Sequence, residues 1–159
     1  MTMLMDKRMS RFALMAVVAL LLTACSKEPP PAVLTTIEGN VVQPEDWKGK
    51  WVYINYWAEW CKPCAEEIPE LNKFAAERKN ALVLGVNFDN PESVAALQQM
   101  SRMRIEFAVV TNDSAQAVFP HSVPTGLPGT IVVSPEGKVL RTLQGPQTES
   151  TLLQAQTSQ

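Results

Sequence analysis

The chain has 159 residues, 46% of them hydrophobic, which is enough for one domain with a real apolar core and too few for two. Its formal net charge is −2, with acidic and basic residues scattered along the chain; this excludes the polybasic face of a nucleic-acid binder and points to proteins or small thiols as partners. Three cysteines and one histidine exclude a disulfide-stapled miniature scaffold and leave too few ligands for a structural zinc site, so the cysteines are read for reactivity, and neither a metal nor a cofactor is expected.

Lys7, Arg8 and Arg11 precede an apolar run from Phe12 to Leu22 that ends in Leu22-Thr23-Ala24-Cys25. A basic start followed by a short apolar stretch is the pattern of an export signal, and the run is about half of the roughly 20 residues that a membrane-spanning helix needs. Leu22 to Cys25 resembles the bacterial lipobox, which implies removal of residues 1–24 as a lipoprotein signal peptide and a lipid on Cys25 as the new N-terminus. An ordinary cleaved signal would leave Cys25 as an odd free thiol in an oxidising compartment, and lipidation accounts for the odd cysteine better. Loss of Lys7, Arg8 and Arg11 against Asp6 alone leaves the rest of the chain mildly acidic. Residues 25–32, with Pro29-Pro30-Pro31, then form a short, stiff tether, and residues 33–159 the domain.

Val33 to Val42 leans to β structure, and Gly49-Lys50 turns the chain into Trp51 to Tyr56, a nearly unbroken apolar and aromatic run that predicts a buried central strand. A helix is predicted just beyond Cys61: Pro63 suits its first turn, and Ile68, Leu71, Phe74 and Ala75 fall on one face. Pro69 lies inside that helix and is expected to kink it. Leu82 to Asn87 reads as a second strand, and Asn90-Pro91-Glu92 as the cap and first turn of a helix reaching about Met100. Phe107 to Val110 predicts a third short strand and Asn112 to Phe119 a brief helix, before an irregular loop from Pro120 to Pro124. Thr130 to Ser134 and Val139 to Leu143 flank Pro135-Glu136-Gly137-Lys138, the composition of a turn between antiparallel strands, and Thr148 to Ala155 closes with a helix. The sum is a β-α-β-α-β unit, a hairpin and a terminal helix: an α/β fold with a mixed central β-sheet and helices on both faces.

The segment from Trp57 to Cys64 sits where a buried strand ends and a helix begins. Unpaired N–H groups and the positive end of the helix dipole stabilise a thiolate there, and Lys62 adds positive charge, so Cys61 is expected to be an acidic, exposed nucleophile. Cys64, one turn further in, can reach the first sulfur after a mixed disulfide has formed and release the partner. A Cys-x-x-Cys is also half of a zinc knuckle, but no second pair exists and His121 alone does not complete a tetrahedral site. His121 itself is expected in a loop or at the surface.

Asn55-Tyr56-Trp57-Ala58-Glu59-Trp60-Cys61-Lys62-Pro63-Cys64, with Glu67 and Pro69 following, resembles the active-site segment of the thioredoxin superfamily, and within it the TlpA-like, membrane-tethered bacterial branch, over roughly Glu38 to Leu143. Gly126-Leu127-Pro128-Gly129-Thr130-Ile131-Val132-Val133 resembles that family's second signature, whose proline has a cis peptide bond and faces the cysteine pair. Pro128 fits the position, with Pro124 as a rival whose spacing to the strand is worse; an X-Pro bond is the kind that goes cis cheaply.

The resemblance implies a thioredoxin-like fold and a thiol:disulfide oxidoreductase that reduces disulfides of envelope proteins in the bacterial periplasm, drawing electrons from a membrane thiol reductant. Relatives of this branch serve cytochrome c maturation, copper-site assembly or related repair. The resemblance also makes Trp60, Lys62, Pro63, Leu127 and Pro128 the substrate-binding surface, with the Leu127 backbone pairing to an extended peptide, and leaves Trp57 to the core. Pro69 corresponds to the family's kink proline. Glu67 matches the branch's active-site carboxylate, which would move protons as thiols are made and broken; the alternative is a solvated glutamate in a first helical turn. Asn55 stands where cytoplasmic thioredoxins usually carry a buried aspartate, so that residue's proton-shuttle role does not carry over. A monomer is expected. Two further classes remain: a Cu(I) metallochaperone using Cys61 and Cys64 as soft ligands, against which a cis Pro128 argues, and a peroxiredoxin-like peroxidase, whose cysteine context Trp60-Cys61 does not reproduce.

Overall fold

The computed structural model describes residues 32–157, so the signal segment, Cys25 and all of the tether except Ala32 lie outside the described residues. The β-leaning stretch after the tether is divided by a turn: Leu34–Thr35 (β1) and Val41–Val42 (β2) pair antiparallel as a small separate ribbon. A short helix follows that the sequence reading did not anticipate, α1 (Pro44–Trp47), which a proline opens and in which the Gln43 N–H donates to Asp46 Oδ2 at 2.8 Å. The remaining elements are β3 (Trp51–Trp57), α2 (Lys62–Glu77), β4 (Ala81–Asn87), α3 (Ser93–Arg102), β5 (Val109–Val110), α4 (Asn112–Val118), β6 (Gly129–Val133), β7 (Val139–Gln144) and α5 (Glu149–Thr157).

The main sheet has five strands in the order β5-β4-β3-β6-β7. β3 runs parallel to β4, in register from Trp51–Ala81 to Trp57–Asn87, and antiparallel to β6, from Val52–Val133 to Tyr56–Gly129. β5 is parallel to β4 and β7 antiparallel to β6, which gives the expected mixed sheet. Successive β3 side chains point to opposite faces. Tyr53 and Trp57 join Ile68, Leu71 and Phe74 of α2, Ala96 of α3 and Leu152 of α5 on one side, whereas Val52, Ile54 and Tyr56 join Leu34, Ala115 of α4 and Phe119 on the other. Both faces are therefore covered, and a strand buried on both sides has the unbroken apolar sequence that β3 shows.

Two expectations shift in detail. The third strand is confined to Val109–Val110, and α3 starts at Ser93 because Glu92, not Asn90, is its N-cap, with an extended ψ of 149° that a helix cannot include. Pro69 sits on the exposed side of α2, which continues to Glu77; there water can satisfy the Ala65 carbonyl that loses its helical partner. The hairpin is as expected, closed by Ser134 N–H to Lys138 O and Gly137 N–H to Ser134 O, each 2.8 Å, with Gly137 at φ 81°.

Gly129 opens β6 against a wall: a Cβ placed there would lie 2.3 Å from Cβ of the buried Pro124. Gly129→Ala is expected to force this loop apart and cost about 1–3 kcal/mol, the usual range for overpacking, read as a lower denaturant midpoint at unchanged slope.

Candidate active site

The loop leaving β3 is drawn back on itself by Cys61 N–H, which donates to Ala58 O at 3.1 Å. Cys61 is the N-cap of α2, extended at φ −83° and ψ 97°, and its sulfur does what a serine or aspartate oxygen does at other helix starts: it accepts the Cys64 N–H at 3.2 Å. Pro63 occupies the first turn, where its missing N–H has no helical partner to lose. The sulfurs of Cys61 and Cys64 are joined at 2.00 Å, with the Cα atoms 5.2 Å apart. Cys61, expected to be exposed, is only 4% exposed in this disulfide state, yet Cys64 is 0% exposed. An incoming sulfur therefore meets Cys61 first. Lys62 is 88% exposed and its Nζ stands 4.0 Å from Glu66 Oε1, a surface pair that water screens, so its charge adds little to the helix N-terminus as a support for a thiolate.

The residues picked out for binding fall at the start of α2 and in the loop that leads into β6. The Leu127–Pro128 peptide bond is cis, and the rival Pro124 instead packs on Gly129. Leu127 is half-buried against the apolar cluster that contains both cysteines, and Pro128 O accepts the Gly145 N–H at 2.8 Å. Trp60 is 67% exposed, while Trp57 is fully in the core. The Trp60 indole is held upright: Nε1 donates to Asp89 Oδ2 at 2.8 Å, the Asp89 N–H donates to Asn87 Oδ1 at 3.0 Å, and Asn87 Nδ2 donates to Gln99 Oε1 at 2.6 Å. Nothing in the sequence marks Asp89 for this task. His121 lies exposed in its loop at φ 64°.

Glu67 departs furthest from a solvated helix residue. It is 2% exposed, in the second turn of α2, on the same side as Cys64, Ile68, Leu71 and Phe74. Asn55 Nδ2 donates to its Oε1 at 2.7 Å and the Gln147 backbone N–H to its Oε2 at 2.8 Å. Burial pushes its carboxyl up to about 7, against the pull of the Asn55 and Gln147 hydrogen bonds, which favour the ionised form. A carboxyl group that exchanges its proton near neutrality, one helical turn from Cys64, is suited to handling thiol protons.

Comparison with known proteins adds four findings. The sequence model of the AhpC/TSA family matches residues 26–142. The chain is 31% identical over 127 residues to the thiol-disulfide oxidoreductase ResA of Bacillus thuringiensis subsp. konkukian, covering 79% of this chain and 73% of that relative. Among solved structures, a thiol:disulfide interchange protein of the thioredoxin family from Chlorobium tepidum is similar with a TM-score of 0.57 at 25% identity, covering 82% of this chain and 96% of that one. StoA from Bacillus subtilis superposes with a TM-score of 0.62 at 21% identity, over 79% of this chain and 96% of that one, a likeness of fold.

The seat of Glu67 carries a sign that can be measured. Its folded-state value of about 7 lies above the ordinary 4.5, so the folded protein holds this proton more tightly than the unfolded chain; the resulting stabilisation is complete below about 4.5 and is lost as pH rises through about 7. The oxidised protein is expected to lose up to roughly 3 kcal/mol of unfolding free energy from this group between those limits. Guanidinium unfolding across that range should show the slope in the wild type and a flattened profile in Glu67→Gln.

Proposed function

The chain belongs to the AhpC/TSA family and is a thiol–disulfide oxidoreductase of thioredoxin-like fold, and from that premise we propose that it reduces disulfides of bacterial envelope proteins, with Cys61 as nucleophile, Cys64 as resolving thiol and Glu67 as proton carrier. The observation that carries this reading is the Cys61–Cys64 disulfide at the N-cap of α2.

In the reduced protein the Cys61 thiolate attacks one sulfur of the target disulfide; the target S–S bond breaks, and its other sulfur leaves with the electron pair. Cys64, as thiolate, then attacks Cys61 Sγ, the mixed disulfide breaks, and the second target sulfur leaves. Two electrons have passed to the target, and the pair is closed as observed. The proton lost by Cys64 goes to the Glu67 carboxylate and from there to a departing thiolate. Its near-neutral affinity lets it take the proton and give it back. The target binds as an extended peptide along the Leu127 backbone beside Pro128, over an apolar rim formed by Trp60 and Pro63 with Lys62 at its edge; the cis bond and the exposure of Trp60 support this placement. A membrane thiol reductant reopens the disulfide. The basic and apolar leader ending at Cys25 supports export, cleavage after residue 24 and a lipid anchor in the periplasm, with residues 25–32 as spacer. Proteins met during cytochrome c maturation or copper-site assembly are the proposed class of target.

Reduction of insulin disulfides by the full-length protein should fall to background in Cys61→Ser, whereas Cys64→Ser should still attack and accumulate mixed disulfides visible on non-reducing gels. Undiminished turnover by Cys61→Ser would remove the assigned nucleophile. In growing cells, Cys25→Ser should abolish incorporation of labelled fatty acid and move the protein from the membrane to the soluble fraction.

A further inference from the structure

The Asn55 side chain is fully buried on β3, in register with Thr130 of β6. Its Nδ2 serves two acceptors, Glu67 Oε1 at 2.7 Å and Thr130 Oγ1 at 3.1 Å, whereas its Oδ1 is buried with no donor. An orphaned buried carbonyl oxygen is uncommon and unfavourable. Glu67 meets the complementary difficulty when it takes up a proton. Its new O–H then needs an acceptor, but both groups that now bond to it, Asn55 Nδ2 and the Gln147 N–H, are donors. Facing it are Asn55 from β3 and Gln147 from the segment before α5, with Thr130 of β6 reached through Asn55; on α2 itself Cys64, one turn earlier, is tied up in the disulfide with the N-cap Cys61, Glu66 and Glu70 are exposed, and no charged side chain supplies Glu67 with a hydrogen bond among the described residues.

We propose that Asn55 is a positioning residue that serves both protonation states of Glu67, donating from Nδ2 to the carboxylate and, after a half-turn of its amide, accepting with Oδ1 from the carboxylic acid. Thr130 follows the turn without loss, because a hydroxyl both donates and accepts. One end of the amide stays unpaired in each state, so the turn exchanges which end, and the proton that leaves Cys64 for Glu67 enters a buried site without stranding its hydrogen bond. This rests on the reading of Glu67 as proton carrier and gives it a mechanism: Asn55 keeps the carboxylate's affinity from rising as far as burial alone would drive it.

The test uses the oxidised, isotope-labelled protein, the redox state of the structure. The scalar coupling across the hydrogen bond from Asn55 Nδ2 to the Glu67 carboxyl carbon should be present at high pH and vanish at low pH, with the same midpoint as the Glu67 carboxyl shift. In Asn55→Ala that midpoint should rise by about one pH unit, a tenfold gain in proton affinity, and the pH profile of insulin reduction should move with it, which loss of packing alone would not produce. A Glu67 carboxyl that titrates while the coupling persists at both extremes overturns the role of Asn55 and leaves the proton carrier standing. A Glu67 carboxyl that does not titrate between pH 5 and 9 removes the carrier itself. Should Asn55→Ala fail to fold, the coupling in the wild type decides alone.

Discussion

Central pairing of β3, with β4 along one edge and β6 along the other, fixes the point at which the chain leaves the sheet. On the β4 side the register ends at Trp57–Asn87; beyond it the chain bends through Ala58 and reaches α2 at once. Cys61 is thereby delivered to a helix N-terminus in a place the sheet dictates. On the β6 side the register ends at Tyr56–Gly129, so Pro128 stands one residue past the pairing, at the same end of the sheet as the cysteines. The same ladder sets Asn55 opposite Thr130 and within reach of Glu67. Sulfurs, cis bond and buried carboxylate converge because one strand has neighbours on both sides.

Electrostatics divide sharply between surface and interior. Glu59 with Arg102, and Glu149 with Arg78, lower the carboxyl and raise the guanidinium affinities of each pair through direct hydrogen bonds. Water and salt screen exposed pairs of this kind, so they add little to stability. Their effect is geometric: Arg102 ties the loop before Cys61 to α3, and Arg78 ties the end of α2 to α5. Glu67 is governed instead by two N–H groups and the loss of water, so small changes there alter its proton affinity strongly.

Much of this was legible beforehand, and for identifiable reasons. Unbroken apolar character announced β3, a proline two residues past a cysteine announced the helix start, and Pro135 to Lys138 announced the hairpin, because each depends on neighbours in sequence. Pro128 was legible by resemblance to a known signature. Glu67 was only half legible: read alone it is a polar residue in a helix, but 64, 67, 68, 71 and 74 form a single stripe at helical spacing, and that spacing places it inside. Gln147 was not legible at all, since its backbone N–H carries no side-chain signal and lies far along the chain from Glu67. Asp89 likewise meets Trp60 through a tertiary hydrogen bond that no local pattern encodes. The exposure expected of Cys61 is not seen in the disulfide state, where the residue is buried in one apolar cluster with Cys64, a tertiary arrangement that no local pattern encodes.

The bond from the backbone at position 147 to Glu67 Oε2 has an evolutionary side. A contact made by a side chain is lost as soon as that residue drifts, but one made by the main chain survives every replacement except proline, which has no N–H. Half of the cradle for the carboxylate is thus written in the path of the polypeptide, and inheriting it means inheriting the turn that the Gln147 side chain helps to hold by donating to Gly145 O at 2.6 Å.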